Sequence, residues 1–76
     1  EIIVKNKNTI YPNPSSGSIR ILGIYEKQAY KIYNLMGAKV LKGSINFNEN
    51  IEIQHLKRGL YFLKLENGNP IKFIKK

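Results

Sequence analysis

Hydrophobic positions recur with a period of two along most of the chain, in short segments separated by Gly, Pro and Asn. This spacing is typical of strands with one buried face, and no segment has the length and period of a helix. The sequence therefore predicts an all-β fold without helices. The predicted strands cover residues 2–5, 18–22, 29–34, 38–41, 51–54, 60–66 and 71–75.

The alternation also predicts which side of each strand is buried. In residues 18–22, for example, Ile19 and Ile21 share one face and Arg20 lies on the other. The same reasoning places Glu52 and Gln54 in solvent. The residues predicted to face the core are Ile19, Ile21, Tyr30, Ile32, Ile51, Ile53, Tyr61, Leu63 and Leu65.

Turn signals lie between the predicted strands. Residues 12–17 contain two prolines and a glycine, which predict a loop. Residues 34–37 predict a hairpin closed by Gly37, and Asn67-Gly68 predicts a second hairpin before the last strand. Pro70 suits the first position of a strand at a sheet edge. Strands at this spacing indicate a small immunoglobulin-like antiparallel β-sandwich of six to seven strands.

Length and charge narrow the class of protein. Seventy-six residues predict one domain, over residues 1–76, and the absence of cysteine excludes disulfides and thiolate metal sites. The formal net charge is +8, from 13 Lys and Arg against 5 acidic residues. Positive charge gathers toward the end of the chain, a balance that favours contact with anionic partners or simply solubility.

The sequence predicts no catalytic, cofactor-binding or metal-binding residue. His55 is the single histidine, and the chain has no Cys and no Asp to complete a triad or a metal site with it. Ser15 and Ser16 lack the spacing of a phosphate-binding loop. We therefore expect a protein without enzymatic activity.

Three sequence blocks together resemble a known family. The first is Tyr11-Pro12-Asn13-Pro14 followed by Gly17, and the second runs from Tyr30 to Val40 as YKIYNLMGAKV. The third begins at Ile51-Glu52-Ile53, continues through RGLY at residues 58–61 and closes with KFIKK at residues 72–76. In this order and spacing the blocks resemble the C-terminal sorting domain of the type IX (Por) secretion system of Bacteroidetes.

The resemblance implies a secretion signal at the C-terminal end of a longer secreted precursor. Its partners would be an N-terminal cargo domain, the shuttle and translocon proteins of the outer membrane, and a sortase-like peptidase that removes the domain, at a cleavage point upstream of or near residue 1. The cargo would cross the periplasm and reach the cell surface or the medium, with anionic lipopolysaccharide as an indirect partner. No cofactor and no nucleic acid is expected.

Most residues of the motif are expected to have structural roles. They are Pro12, Asn13, Pro14, Gly17, Tyr33, Asn34, Gly37, Gly59 and Tyr61. The expected contact with the translocon is the last hairpin, where basic residues would be displayed beside a free strand edge. The residues of this predicted recognition set are Lys72, Phe73, Lys75 and Lys76.

Two other classes of function remain open at this point. An immunoglobulin-like carbohydrate-binding or adhesion module would use Tyr25 and Tyr33 as exposed platforms. A basic nucleic-acid-binding β-domain would need aromatic and basic residues grouped on one sheet. The predicted burial of Tyr30 and Tyr61 disfavours the second.

Overall fold

The computed structural model describes residues 8–66 and 68–76, and in these residues it contains seven strands and no helix. The strands are β1 (Thr9–Tyr11), β2 (Ser18–Leu22), β3 (Gln28–Asn34), β4 (Lys39–Ile45), β5 (Asn50–Glu52), β6 (Gly59–Leu65) and β7 (Ile71–Lys75). They form a three-stranded sheet in the order β1-β2-β5 and a four-stranded sheet in the order β4-β3-β6-β7. All pairings are antiparallel. The predicted all-β sandwich is confirmed.

The core lies between the two sheets and follows the predicted alternation. Ile19 and Ile21 of β2 are buried, as are Tyr30 and Ile32 of β3. Every other residue predicted to face inward is buried as well. Ile24 and Leu56 contribute from loops, and Phe73 of β7 is fully buried. Burial of this apolar surface is the main stabilising term in so small a domain.

The predicted and observed strands differ in several places. The strand predicted at residues 51–54 ends at Glu52, as β5. The strand predicted at residues 2–5 lies outside the described residues. Strand β1 was not predicted, because three residues beside a proline are too few to show a period. Strand β4 runs to Ile45, beyond the predicted end at residue 41, because its pairing with β3 continues through polar, exposed residues. The register shift between Ile32 and Tyr33 also interrupts the alternation of β4 at its start.

Gly43 of β4 pairs directly with Tyr30 of β3, on the core side of the sheet. A Cβ atom at position 43 would lie 2.9 Å from the Tyr30 hydroxyl oxygen, so the tyrosine ring covers the space that a side chain would fill. Burial raises the pKa of the Tyr30 hydroxyl above its ordinary value. The glycine therefore allows a large aromatic residue to close this side of the core.

Strand β7 lies at one edge of the four-stranded sheet, as the proline before it predicts. Strand β4 lies at the opposite edge. The β6–β7 connection includes Asn67, so the predicted Asn67-Gly68 turn lies partly outside the described residues. The antiparallel return of β7 along β6 is confirmed.

Candidate functional site

The loop of residues 12–17 leaves the three-stranded sheet and bonds to the edge of β7 in the other sheet. The Ile74 amide donates a hydrogen bond to the Asn13 side-chain oxygen at 2.9 Å. The Ser15 amide donates to the Ile74 carbonyl at 3.0 Å, and the Lys76 amide donates to the Ser15 carbonyl at 2.8 Å. The loop thus acts as a short parallel strand that covers the C-terminal part of β7.

The residues of this loop divide into exposed and buried ones. Pro12, Asn13 and Pro14 are exposed, and each proline follows a cis peptide bond. Ser15 is buried, and its hydroxyl donates to the Ser18 carbonyl at 2.6 Å. The loop predicted at residues 12–17 is confirmed. Gly17 meets nothing within 4 Å at its would-be Cβ, so space there does not require glycine.

The predicted recognition set is split by the alternation of β7. Lys72 and Lys76 are exposed, whereas Phe73 is fully buried and stacks on Tyr61 with ring centroids 5.7 Å apart. Lys75 is only 7% exposed. The expectation that Lys75 is displayed at the surface is wrong, and Phe73 is not accessible to a partner either, because both lie on the side of β7 that faces the core.

Lys75 is held by backbone carbonyl groups. Its ammonium group donates hydrogen bonds to the Leu56 carbonyl at 3.1 Å and to the Lys76 carbonyl at 3.2 Å. A buried ammonium group needs such acceptors to offset the loss of water. Lys75 therefore joins the end of β7 to the segment before β6, which is a structural role.

The edge of β7 is only partly covered by the loop. Amide and carbonyl groups alternate between the two sides of an antiparallel strand, so Lys72 points its backbone groups to the same side as Ile74 and Lys76. The loop bonds to Ile74 and Lys76 but does not extend to Lys72. Within the part of the chain that the structure describes, the first half of β7 is an open strand edge.

The Tyr33–Gly37 part of the motif forms the β3–β4 turn. The Asn34 side-chain oxygen accepts hydrogen bonds from the Met36 amide at 3.0 Å and from the Ala38 amide at 2.9 Å. Gly37 has a φ of 88°, in the region that favours glycine. The predicted hairpin is confirmed, and the motif residues Asn34 and Gly37 define its shape. Tyr33 lies half-buried on the outer face of β3.

Gly59 and Tyr61 fix the start of β6. Gly59 has a φ of 154°, and the buried Tyr61 donates a hydroxyl hydrogen bond to the Lys57 carbonyl at 2.6 Å. A tyrosine that bonds to the backbone a few residues upstream resembles the tyrosine corner of β-sandwich domains. Because the acceptor is a backbone carbonyl, the identity of Lys57 gives no signal of this bond in the sequence.

In residues 8–66 and 68–76 no group of three or more His, Cys, Asp or Glu side chains could hold a metal ion. His55 is exposed in the turn after β5. No helix of these residues is long and apolar enough to cross a membrane.

The structure thus defines a small two-sheet module in which Asn13, Asn34 and Tyr61 of the motif form hydrogen bonds within the domain. Residues 9–76 match the family model of the secretion system C-terminal sorting domain. The chain therefore belongs to this family, whose members are sorting signals for type IX secretion and are not themselves catalytic. A sorting signal of this kind directs an N-terminal cargo toward the cell surface or the extracellular space. Searches of curated proteins and of solved structures found no match.

Proposed function

We propose that the type IX machinery recognises this domain in its folded form in the periplasm and carries the attached cargo through the outer-membrane translocon. The observation behind the proposal is the bond network between the loop of residues 12–17 and β7. Motif blocks from distant parts of the sequence meet there in one folded unit. A linear tag would not need these contacts.

The hydrogen bonds of the other motif residues support the same interpretation. The Asn34 side-chain oxygen and the Tyr61 hydroxyl group each form hydrogen bonds within the domain. Side chains engaged in this way contribute to the geometry of a surface more readily than to a direct contact. The motif is then the part of the sequence that maintains the fold, and the machinery reads a surface that the fold presents.

Of the predicted recognition set, we propose that Lys72 and Lys76 contact the machinery and that Phe73 and Lys75 act indirectly. The first two are exposed, and Lys72 lies at the open half of the β7 edge. Phe73 and Lys75 hold β7 against the core. A partner strand could pair with the open edge beside Lys72.

We further propose that a sortase-like peptidase removes the domain and that the cargo is then anchored at the surface or released. Cleavage before Thr9 would separate a cargo from the sandwich without cutting any strand that the structure describes. Anchoring would involve anionic lipopolysaccharide on the cargo side of the cut. The domain itself would catalyse none of these steps.

The test is a fusion of residues 1–76 behind a periplasmic reporter, expressed in a strain with the type IX system and in one without its translocon. We expect reporter at the surface or in the medium only in the first strain, and trapped reporter in the second. Equal surface reporter in both strains would contradict the proposal. Deletion of residues 71–76 is unsuitable as a test of recognition, because it removes Phe73 from the core.

A substitution in the core tests whether the machinery recognises the folded domain or only its sequence. Phe73→Ala should open a cavity that costs about 3–5 kcal/mol, a large part of the stability of a domain of this size. If the machinery reads the fold, this variant should lose export although every exposed residue is kept. Normal export of the variant, shown to be unfolded by circular dichroism, would indicate a linear signal instead.

A further inference from the structure

The outer face of the four-stranded sheet carries a concentration of positive charge. Alternation and strand register place five lysines on this side, which we call the lysine face: Lys31, Lys39, Lys42, Lys64 and Lys72. All five are exposed. No acidic residue lies on this side within the four strands. Glu66, which follows β6, lines the same pocket as Lys31 and Lys64.

The outer face of the other sheet is different. Among the outward residues of β1, β2 and β5, Arg20 is balanced by Glu52, and the Arg20 side chain donates to Asn50 at 3.1 Å. The excess charge of the chain is therefore not spread evenly around the sandwich. Solubility alone would not require it to gather on one sheet.

The register makes this arrangement costly for the fold. Lys31 lies directly opposite Lys42 on one side and directly opposite Lys64 on the other. Like charges in directly opposite positions destabilise an antiparallel pair. Lys64 partly compensates, because its ammonium group donates to the Gly68 carbonyl at 3.0 Å and the Leu65 carbonyl at 3.3 Å. Because this row of three neighbouring lysines opposes folding, its presence suggests a role in binding another molecule.

An apolar strip crosses the lysine face. Tyr33 of β3 pairs with Phe62 of β6, and both are half-buried. Leu60 and Ile74 continue the strip on β6 and β7. An apolar centre with charged residues around it is the usual composition of a protein–protein contact.

We propose that the lysine face docks an acidic protein surface with an apolar centre, a component of the machinery that recognises the folded domain. Charge complementarity selects the partner. A polysaccharide would call for several amide and carboxylate groups near the rings. The outward residues of β3, β4, β6 and β7 include none, and Glu66 is the single carboxylate that lines the pocket beside Tyr33. A nucleic acid would use open aromatic faces, whereas these two rings are half-buried and run on into aliphatic residues. The inference rests on the proposed function.

The size of the face indicates a transient contact. Four strands about 4.8 Å apart, three of seven residues and one of five, give a projected area of roughly 400 Å². This is below the roughly 800 Å² per partner of a standard stable interface. Surface charges raise the rate of encounter, which suits a signal that must be bound and then released.

The main experiment uses two matched charge-reversal variants of the reporter fusion. The first is Lys31→Glu with Lys39→Glu and Lys42→Glu, which leaves Lys72 and Lys76 intact. The control is Lys27→Glu with Lys57→Glu and Arg58→Glu, at exposed positions away from the four-stranded sheet's outer face. We expect at least a tenfold loss of surface reporter for the first variant and less than a twofold change for the control. Equal losses, or no loss in either, overturn the proposal.

Measuring the stability of a variant shows whether its reduced export comes from weaker docking or from misfolding. Lys31→Glu alone should raise the midpoint of chemical unfolding, because it replaces two like-charge pairs with opposite-charge pairs. The same substitution should reduce export. A variant that is more stable and yet exported less well cannot be explained by misfolding, whereas unchanged export with raised stability contradicts the docking role. Absence of export by the unsubstituted domain would instead contradict the proposed function itself.

The class of partner is tested by suppressors of the triple lysine variant. Restored export through Asp→Lys or Glu→Lys substitutions in a protein of the machinery supports an acidic protein surface. Restoration through changes in lipid or polysaccharide synthesis contradicts it.

A binding assay tests the other classes of partner directly. The purified domain is mixed with phosphatidylglycerol vesicles and with a thymidine oligonucleotide at physiological salt. Binding that the lysine-face variant loses and the control variant keeps would likewise contradict a protein partner.

Discussion

The side-chain oxygen of Asn13 accepts a hydrogen bond from the backbone amide of Ile74 at 2.9 Å, across 61 positions of sequence. This bond and the two between Ser15 and the end of β7 join the two sheets along one side of the sandwich. The loop around Pro12 and Pro14 thereby covers the C-terminal part of the β7 edge. Covering such edges prevents unwanted pairing with other chains.

Asn13→Ala is expected to lower the free energy of unfolding by about 0.5–1.5 kcal/mol, because the Ile74 amide loses its acceptor. Chemical denaturation monitored by circular dichroism measures the change. Asn69→Ala, in the exposed segment before β7, is the matched control and should stay within about 0.5 kcal/mol of the unsubstituted protein. Equal effects of the two substitutions would show that the Asn13 bond contributes nothing to stability.

Lys75→Ala and Lys76→Ala should differ sharply. The first removes a buried side chain and leaves the Leu56 carbonyl without its donor, so we expect a loss of about 1–3 kcal/mol. The second truncates an exposed side chain and should change stability by less than about 0.5 kcal/mol. Denaturant midpoints of the two variants, measured in parallel, decide this. Similar midpoints would contradict the structural role given to Lys75.

Gly37→Ala and Gly17→Ala isolate the effect of backbone conformation. At both positions an added Cβ meets no atom within 4 Å, but only Gly37 has a positive φ. Gly37→Ala should therefore cost about 1–2 kcal/mol. Gly17→Ala should be neutral or stabilise by up to about 1 kcal/mol, through a less flexible unfolded chain. Thermal and chemical unfolding of the pair test this, and a loss at Gly17 as large as that at Gly37 would refute it.

Tyr30 makes stability depend on alkaline pH. Because burial raises its pKa in the folded state, the unfolded chain loses this proton first as the pH rises. The contribution of neutral Tyr30 to the free energy of unfolding is complete below about pH 10, the ordinary pKa of tyrosine. It is lost as the pH rises through the pKa of Tyr30 in the folded state. In urea titrations at several pH values, Tyr30→Phe should show a smaller alkaline loss of stability. Tyr25→Phe, at an exposed position, should keep the full loss.

The sequence predicted the parts of this fold that depend on local periodicity. Ile19, Ile21, Ile32 and Leu63 were assigned to the core because each lies two residues from another apolar residue on the same strand. The Gly37 hairpin was predicted for a second local reason. Its geometry depends on a single backbone conformation that favours glycine. Neither assignment requires knowledge of which strands are neighbours.

Features that depend on distant neighbours were missed. The bond between Asn13 and Ile74 has no local signature, and β1 is too short to show a period. The lysine face forms only when β3, β4 and β6 are placed side by side, because each strand alone shows ordinary outward lysines. Lys75 was a different case. Lys75 lies two residues after Phe73, so the alternation of the strand places both side chains on the same face. The charge of Lys75 nevertheless led to the prediction that it is exposed.

The late position of β7 in the chain also bears on when the fold can form. A polypeptide that ends before Ile71 lacks the Phe73 ring between the sheets and has nothing for Asn13 and Ser15 to bond with. Synthesis interrupted at any earlier codon would therefore produce a cargo without a closed sandwich. If export requires the closed sandwich, the domain reports that translation has proceeded through its final strand, and incomplete cargo is left behind.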